Sequence, residues 1–460
     1  MTGKGPRGGA GDRDYTSGPI GRQMLAFALP HMLSSALQIM YSAVDLSIVG
    51  KAISGAALSA VSVSSHLLNL LTMFSLGFST GGQIYMAQTI GLGRRDRAGT
   101  VTGTLLTAML FVAAVLAGLT ALFHGPLLTL MNTPPEAYAM AVQYLIPGCI
   151  GLLFTASYNC FAAIMRSHGD TRTPLYAIFA SSAVNIVLDL LFVVGWGWGV
   201  PGAIGATVIG QAVSALTLLS ALLMRRERYG FSLSPALLRP DREILRAVTK
   251  LAVPCALEMG VFNVSMLFVS SLVNSVGLYA SETFGIGLKV EEIGNKICTG
   301  ITAAASVMIG QNMAAGNIER TKKIVRASWL FGASIYVAFA LLCSFCSREL
   351  FALFTDDAEV VAMAPMFISA LRWGFPAMAS MRGTNGLMQG VSNARLCFII
   401  GILDGIAVRI PLSYFLGVTM GLGLWGFFFA YALAAYTNAG LGMLYYLSGR
   451  WKTRTLAVQT

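Results

Sequence analysis

The sequence predicts an all-α polytopic membrane protein with twelve transmembrane helices. They form two six-helix bundles related by pseudo-two-fold symmetry along the membrane normal. Composition is the first observation behind this. Of 460 residues, 55% are hydrophobic and 11% charged, with 50 glycines and a mean hydropathy of +0.69. A chain this apolar belongs in lipid, where glycine lets helix backbones approach closely. The second is a series of apolar runs long enough to span a bilayer at about 1.5 Å per residue. The third is an internal repeat: short segments of the first half return in the second at a nearly constant spacing, the one that separates Pro30 from Pro254.

Residues 1–22 are Gly-rich and charged and read as a disordered cytoplasmic tail. The first half, 23–224, holds an apolar run at 24–49 and further runs at 57–88, 99–122, 137–166, 173–196 and 201–224. The first run is too long for a signal-peptide core and lacks a small-residue cleavage site. A polar linker, 225–249, carries six arginines: Arg225, Arg226, Arg228, Arg239, Arg242 and Arg246. The second half, 250–448, fits runs at 250–275, 280–313, 324–346, 360–390, 394–417 and 423–448, and 449–460 is a second cytoplasmic tail.

The net charge of +11 is a topology signal. Of the 31 Lys and Arg residues, 24 lie in the tails and alternate loops, and the opposite loops hold only Lys51 and Arg348. The positive-inside rule then puts both termini in the cytoplasm of an inner (plasma) membrane. That distribution argues against a nucleic-acid partner. Cys343 and Cys346 form a lone CxxC with no second pair, and His31 and His66 lack metal-ligand spacing, so neither a metal site nor a disulfide framework is expected. There is no phosphate-binding glycine loop, and no cofactor is expected.

The repeat can be read segment by segment. Phe27-Ala-Leu-Pro30 returns as Leu251-Ala-Val-Pro254, Gln88–Gly93 as Gln311–Gly316, and Gly199-Val-Pro-Gly202 as Gly423-Leu-Trp-Gly426. Two six-helix halves entering from the same side follow the parallel-repeat plan of alternating-access carriers.

Polar residues inside the spans mark the candidate site. Pro30 frees the carbonyl of Ala26 and bends the first helix. Asp45 costs about 2.5–3.5 kcal/mol in hydrocarbon, so it faces a cavity or a partner; a purely structural carboxylate is the alternative. Tyr41 lies one turn before Asp45, Asn185 and Asp189 share one face of the fifth helix, and Tyr144 and Thr207 lie on the fourth and sixth. Counted inward from the outer loops, Asp45, Tyr144, Asp189 and Thr207 all fall roughly 9–14 Å deep. Carboxylates, an amide, a hydroxyl and phenols at one level suit a proton or Na⁺, and two nearby carboxylates resist joint ionisation.

On these residues the chain resembles the MATE (multidrug and toxic compound extrusion) family over nearly its whole length. The resemblance is carried by Pro30 with Asp45-Leu-Ser-Ile-Val-Gly50, Gln88–Gly93, Gly169-Asp-Thr-Arg-Thr-Pro174 and Asn185-Ile-Val-Leu-Asp189. Within that family it is similar to the DinF-like branch. That resemblance implies an N-lobe cation-coupling site of Tyr41, Asp45, Tyr144, Asn185, Asp189 and Thr207, with Pro30 conformational.

The C-lobe departs from that chemistry. At the offset that carries Pro30 onto Pro254, Asp45 aligns with Val269, Asn185 with Arg409 and Asp189 with Ser413. Glu258, Asp404 and Arg409 remain possible polar or substrate contacts. Asp404 and Arg409, five apart, fall on different faces of an α-helix and are not expected to pair. Lys289, Glu292 and Lys296 are expected to form i,i+3 and i,i+4 ion pairs. The 22 methionines and Phe427-Phe-Phe-Ala-Tyr431 suit packing and lipid contact first.

The expected function is secondary active multidrug efflux: antiport of H⁺ or Na⁺ against amphipathic or cationic organic compounds by a monomer in the bilayer. The alternative is a lipid-linked oligosaccharide flippase of the same superfamily, which needs cavity cations for pyrophosphate where this N-lobe offers acids. An intramembrane enzyme using Asp45 and Asp189 as an aspartyl dyad is disfavoured by the repeat.

Overall fold

The computed structural model describes residues 14–53, 55–230 and 238–459. Among them the regular structure is entirely helical. Twelve long elements follow one another: α1 (Ile20–Ala52), α2 (Gly55–Gly91), α3 (Ala98–Leu122), α4 (Pro135–Ser167), α5 (Arg172–Asp189) and α6 (Gly199–Met224) in the first half. The second half has α7 (Arg242–Asn274), α8 (Leu278–Ala314), α9 (Ile318–Phe345) and α10 (Ala358–Leu371, continued by Phe375–Gly390). It ends with α11 (Ala394–Ile402, running on to Thr419) and α12 (Gly423–Ser448).

Ten of these helices are long and apolar enough to cross a membrane, and the bent pair in α10 makes eleven. The other is α8, 37 residues long. Glu282, Lys289, Glu291, Glu292 and Lys296 interrupt its first half, and Gln311 and Asn312 its end, so hydropathy alone passes it over. The 54° bend in α10 falls at Arg372–Gly374, just before Pro376. The ring restricts the residue ahead of it, and Gly374 lies so close to Ala432 that a Cβ there would be 3.0 Å from the Ala432 carbonyl oxygen.

The repeat reappears in backbone geometry. Gly197 and Gly199 adopt φ of +67° and +63° before α6; their counterparts in the repeat, Gly421 and Gly423, adopt +68° and +55° before α12. Glycine tolerates this left-handed region without a Cβ clash. A π-helical turn, Leu190–Gly195, follows α5, and another, Phe415–Thr419, closes α11 at nearly the corresponding place.

The described residues divide into two compact units, one within 33–253 with Asp14 and one within 254–459 with 15–32. This differs from boundaries drawn at the polar linker. The divisions fall inside α1, two residues past Pro30, and inside α7, at Pro254 itself. Small residues explain the assignment. Gly300 admits the α1 backbone so closely that a Cβ would meet the Ala28 carbonyl oxygen at 2.9 Å, and Gly81 does the same for Leu251 and Ala252 at 3.2 Å.

Part of the stretch expected to be a disordered tail, residues 15–22, is instead ordered. Tyr15 is fully buried, and its backbone exchanges hydrogen bonds with Gln311, Asn312 and Arg320. Arg320 also donates to the carbonyls of Ser17 and Gly18. Its guanidinium replaces the hydration those carbonyls would otherwise need. Residues 1–13, and 231–237 of the expected linker, lie outside the described residues.

In the loop between α4 and α5, Asp170 is buried and accepts hydrogen bonds from Thr173 N (3.0 Å), Thr173 Oγ1 (2.7 Å) and Tyr229 OH (2.8 Å), with Arg225 at 3.4 Å. Burial pushes its carboxyl pKa up, but the Thr173 and Tyr229 bonds and the nearby Arg228 charge outweigh this and hold it below the usual carboxylate value. A depressed folded-state pKa means stability that is present above the unfolded value of about 4 and lost as pH falls through the folded one. Asp170→Ala is expected to destabilise the first unit by about 2–3 kcal/mol, because the Thr173 and Tyr229 donors lose their acceptor. A thermal-unfolding comparison checks this, and an unchanged midpoint would remove Asp170 from the account of that loop.

Candidate functional site

The first unit brings the predicted N-lobe residues together. Asp189 ends α5 and is fully buried; the π turn begins at the next residue, re-aiming the backbone just beyond the carboxylate. One turn earlier, Asn185 is 2% exposed. With its amide oriented to suit its neighbours, Asn185 donates to Asp189 Oδ2 at 3.3 Å and accepts from Thr207 N at 3.3 Å. The Thr207 hydroxyl turns back to the Ala203 carbonyl at 3.1 Å. Thus α5 and α6 are tied together through one amide.

Asp45 on α1 is within hydrogen-bonding reach of Asp189. Tyr41, one turn before it, is close enough to feel both charges. Tyr144 on α4 is buried beside Asp45 and Tyr41, within reach of the Thr207 hydroxyl and 3.4 Å from Ser65 Oγ on α2. The two carboxylates are therefore in direct contact. Each keeps one buried oxygen, Asp45 Oδ1 and Asp189 Oδ1, with no hydrogen-bond partner among the described residues. Nor does either make an ion pair with Lys or Arg there.

An apolar cluster covers the side of this group nearer the ends of α1 and α5. Val49 is one turn beyond Asp45 and Val193 one turn beyond Asp189, and they pack with Val61, Val200, Ala203 and Ile204. Polar groups continue the other way: Ser182 Oγ and Gln211 Oε1 are buried with no partner among the described residues. Sequence reading missed Ser65, Ser182 and Gln211. Only Ser182, one turn before Asn185, carried a signal in spacing.

The second unit corrects one expectation and extends another. Asp404 and Arg409 do pair: Arg409 Nη2 is 2.5 Å from Asp404 Oδ2, with both residues buried. The segment Leu403–Arg409 is a π-helix. Its hydrogen bonds run i→i+5, which brings residues five apart onto one face. Arg409 Nη1 also donates to Ser265 Oγ at 3.0 Å, and the guanidinium sits over the rings of Phe262 (4.7 Å) and Tyr431 (5.5 Å).

Glu291, unnoticed in the sequence, is buried and accepts from Tyr431 OH at 3.2 Å. Arg382, also buried, donates to the Met378 carbonyl and to Tyr336 OH. Glu258 is partly buried on α7, near enough to Asp404 to feel its charge. Of the expected α8 ion pairs, Lys296–Glu292 forms at 3.8 Å with both side chains about half exposed, while Lys289 lies over the Phe354 ring. Val269 and Ser413 are fully buried; Ser413 Oγ has no hydrogen-bond partner among the described residues. Phe427, Phe428 and Tyr431 enter the apolar core, as packing residues do.

The fold and the acidic cluster define a polytopic helical membrane protein built from two sequence repeats. The MatE family model matches twice, over residues 30–191 and again over 254–415, so that Pro30 and Pro254 open the two matched segments. The chain belongs to the MatE family. It is 26% identical over 446 residues to "Probable multidrug resistance protein NorM" of Thermotoga maritima, covering 95% of this chain and 94% of that one. It shares its fold with an "outward-facing conformation of a multidrug resistance MATE family transporter of the MOP superfamily", at TM-score 0.88, 20% identity and 95% and 98% coverage. A structure described as "MATE in the bent conformation" matches at TM-score 0.87 and 20% identity, over 94% of this chain and 95% of that one.

Proposed function

We propose that the protein is a cation-coupled multidrug antiporter, exchanging H⁺ or Na⁺ for amphipathic or cationic organic compounds by alternating access. One observation carries this reading: Asp45 and Asp189 touch in a buried setting that supplies no basic partner among the described residues. Two carboxylates in contact cannot both stay ionised without a proton or a cation between them. The surrounding oxygens of Tyr41, Tyr144, Asn185 and Thr207 suit either ion. A cation held there and an organic cation bound elsewhere in the lobe compete electrostatically, so cation entry from outside drives drug release. The names of its relatives, multidrug resistance and export proteins, support the substrate class. The acidic cluster speaks against pyrophosphate recognition by a flippase.

The cytoplasmic placement of both termini and a plasma-membrane location rest on the loop charges. The test of the function is transport of a fluorescent organic cation into proteoliposomes under an imposed ΔpH or ΔNa⁺. Gradient-driven accumulation is expected; accumulation indifferent to both gradients would overturn the reading.

Pro30 enters as the bend. It lies inside α1, two residues before the chain passes from one compact unit to the other. It removes a helical hydrogen bond where a change of curvature can be absorbed. Pro30→Ala is expected to slow turnover roughly tenfold, the effect of about 1.4 kcal/mol on a barrier, while folded yield changes little. Equal initial rates for variant and wild type would take the bend out of the mechanism.

A further inference from the structure

The two halves share a repeat but not a charge balance. The N-lobe cluster holds two carboxyls, Asp45 and Asp189, and no base among the described residues. The second unit instead holds a ladder of alternating sign: Asp404 pairs with Arg409, Arg409 lies over Tyr431, Tyr431 bonds Glu291, and Glu291 feels the charge of Arg382. Taken as ionised, the ladder is neutral by itself. Glu258, the remaining acid facing Asp404, lies beside it without belonging to it.

The position of the guanidinium is informative. In the repeat, Arg409 is the counterpart of Asn185, the amide that touches Asp189 in the N-lobe. The N-lobe segment corresponding to Leu403–Arg409 is residues 179–185, which run as regular α-helix within α5. The π turn is thus an addition of the second half, and its effect is to carry Arg409 onto the Asp404 face. Two aromatic rings and the Ser265 hydroxyl fix the guanidinium there. A planar, permanently charged group stacked in this way holds its carboxylate more durably than a mobile ion.

We infer that Arg409 is a tethered counter-cation: it fills, within the chain, the C-lobe place that a transported ion would otherwise occupy, so that cations are exchanged at the N-lobe alone. The inference builds on the N-lobe reading but predicts something separate, the number of ions the second unit binds. Removing the guanidinium should open a second cation site at Asp404, and removing both charges should close it again.

The test counts ions bound by purified protein without drug, as protons taken up on a pH jump and as radioactive Na⁺ at equilibrium. Arg409→Gln is expected to bind roughly one more cation per protein than wild type. Asp404→Asn/Arg409→Gln is expected to return to the wild-type number. An Arg409→Gln count equal to wild type, or a double-variant count different from it, would overturn the inference. If Arg409→Gln is too unstable for counting, its thermal midpoint is followed against pH and Na⁺: a rise with either cation that the double variant lacks supports the inference, and a midpoint indifferent to both overturns it. Asp45→Asn in the same assay reads the N-lobe separately: its loss of a cation supports the coupling site, and its outcome does not alter the Arg409 comparison.

Discussion

Asp45→Asn is expected to lower exchange by roughly 100-fold or more, about 2.7 kcal/mol on the transport barrier, while some drug binding survives. The substitution keeps the shape of the side chain and removes its charge. The remaining Asp189 then sits beside a neutral amide, and contact between two carboxyls no longer demands a cation. Asp189→Asn is expected to act alike. It also leaves Asn185 and the tie to Thr207 in place, because an amide oxygen still accepts from the Asn185 amide. Because both residues serve one site, the double variant should be hardly worse than either single one. Efflux from proteoliposomes, measured for wild type and the three variants, checks this. Additive losses would mean two independent sites.

The second large effect is on stability. Arg409→Ala leaves Asp404, only 7% exposed, beside Glu258, with its Oδ2 partner gone and its Oδ1 already without one among the described residues. Losing one member of a buried pair costs about 3–5 kcal/mol, more than most surface changes in a whole domain. Asp404→Asn/Arg409→Ala should recover part of that loss, since no lone charge remains. Thermal unfolding in detergent of wild type and both variants tests the pairing. A single variant as stable as wild type would show that the pair holds little of the fold.

These two sites differ in how far the sequence disclosed them. Asp45, Tyr144, Asp189 and Thr207 could be placed at one depth because each is a fixed number of residues from an outer loop and an α-helix rises regularly. Their shared depth reappears as contact. Asp404 and Arg409 could not be paired by the same rule, because the rule assumes the α-helical period and residues 403–409 depart from it. Glu291 was hidden behind the more regular spacing of Lys289, Glu292 and Lys296, and its partner Tyr431 is 140 residues away. Tyr15 sits in a glycine-rich, charged stretch that looks unstructured locally. Its burial depends on Gln311, Asn312 and Arg320, which lie far along the chain in the second half. Twelve helices were legible as apolar runs, although one of them, α8, read as a run at 280–313, is too polar to pass a hydropathy test.

The central claim is that drug and cation compete through the Asp45–Asp189 pair. Linkage makes this measurable without transport: an ion that competes with the drug must weaken drug binding as its own concentration rises. The measurement is the Kd of purified protein for tetraphenylphosphonium, taken across pH at fixed Na⁺ and across Na⁺ at fixed pH. For wild type, Kd should rise with one of the two cations, and for Asp45→Asn the same plot should be flat. A wild-type Kd independent of both ions, or an Asp45→Asn slope equal to that of wild type, would contradict the account.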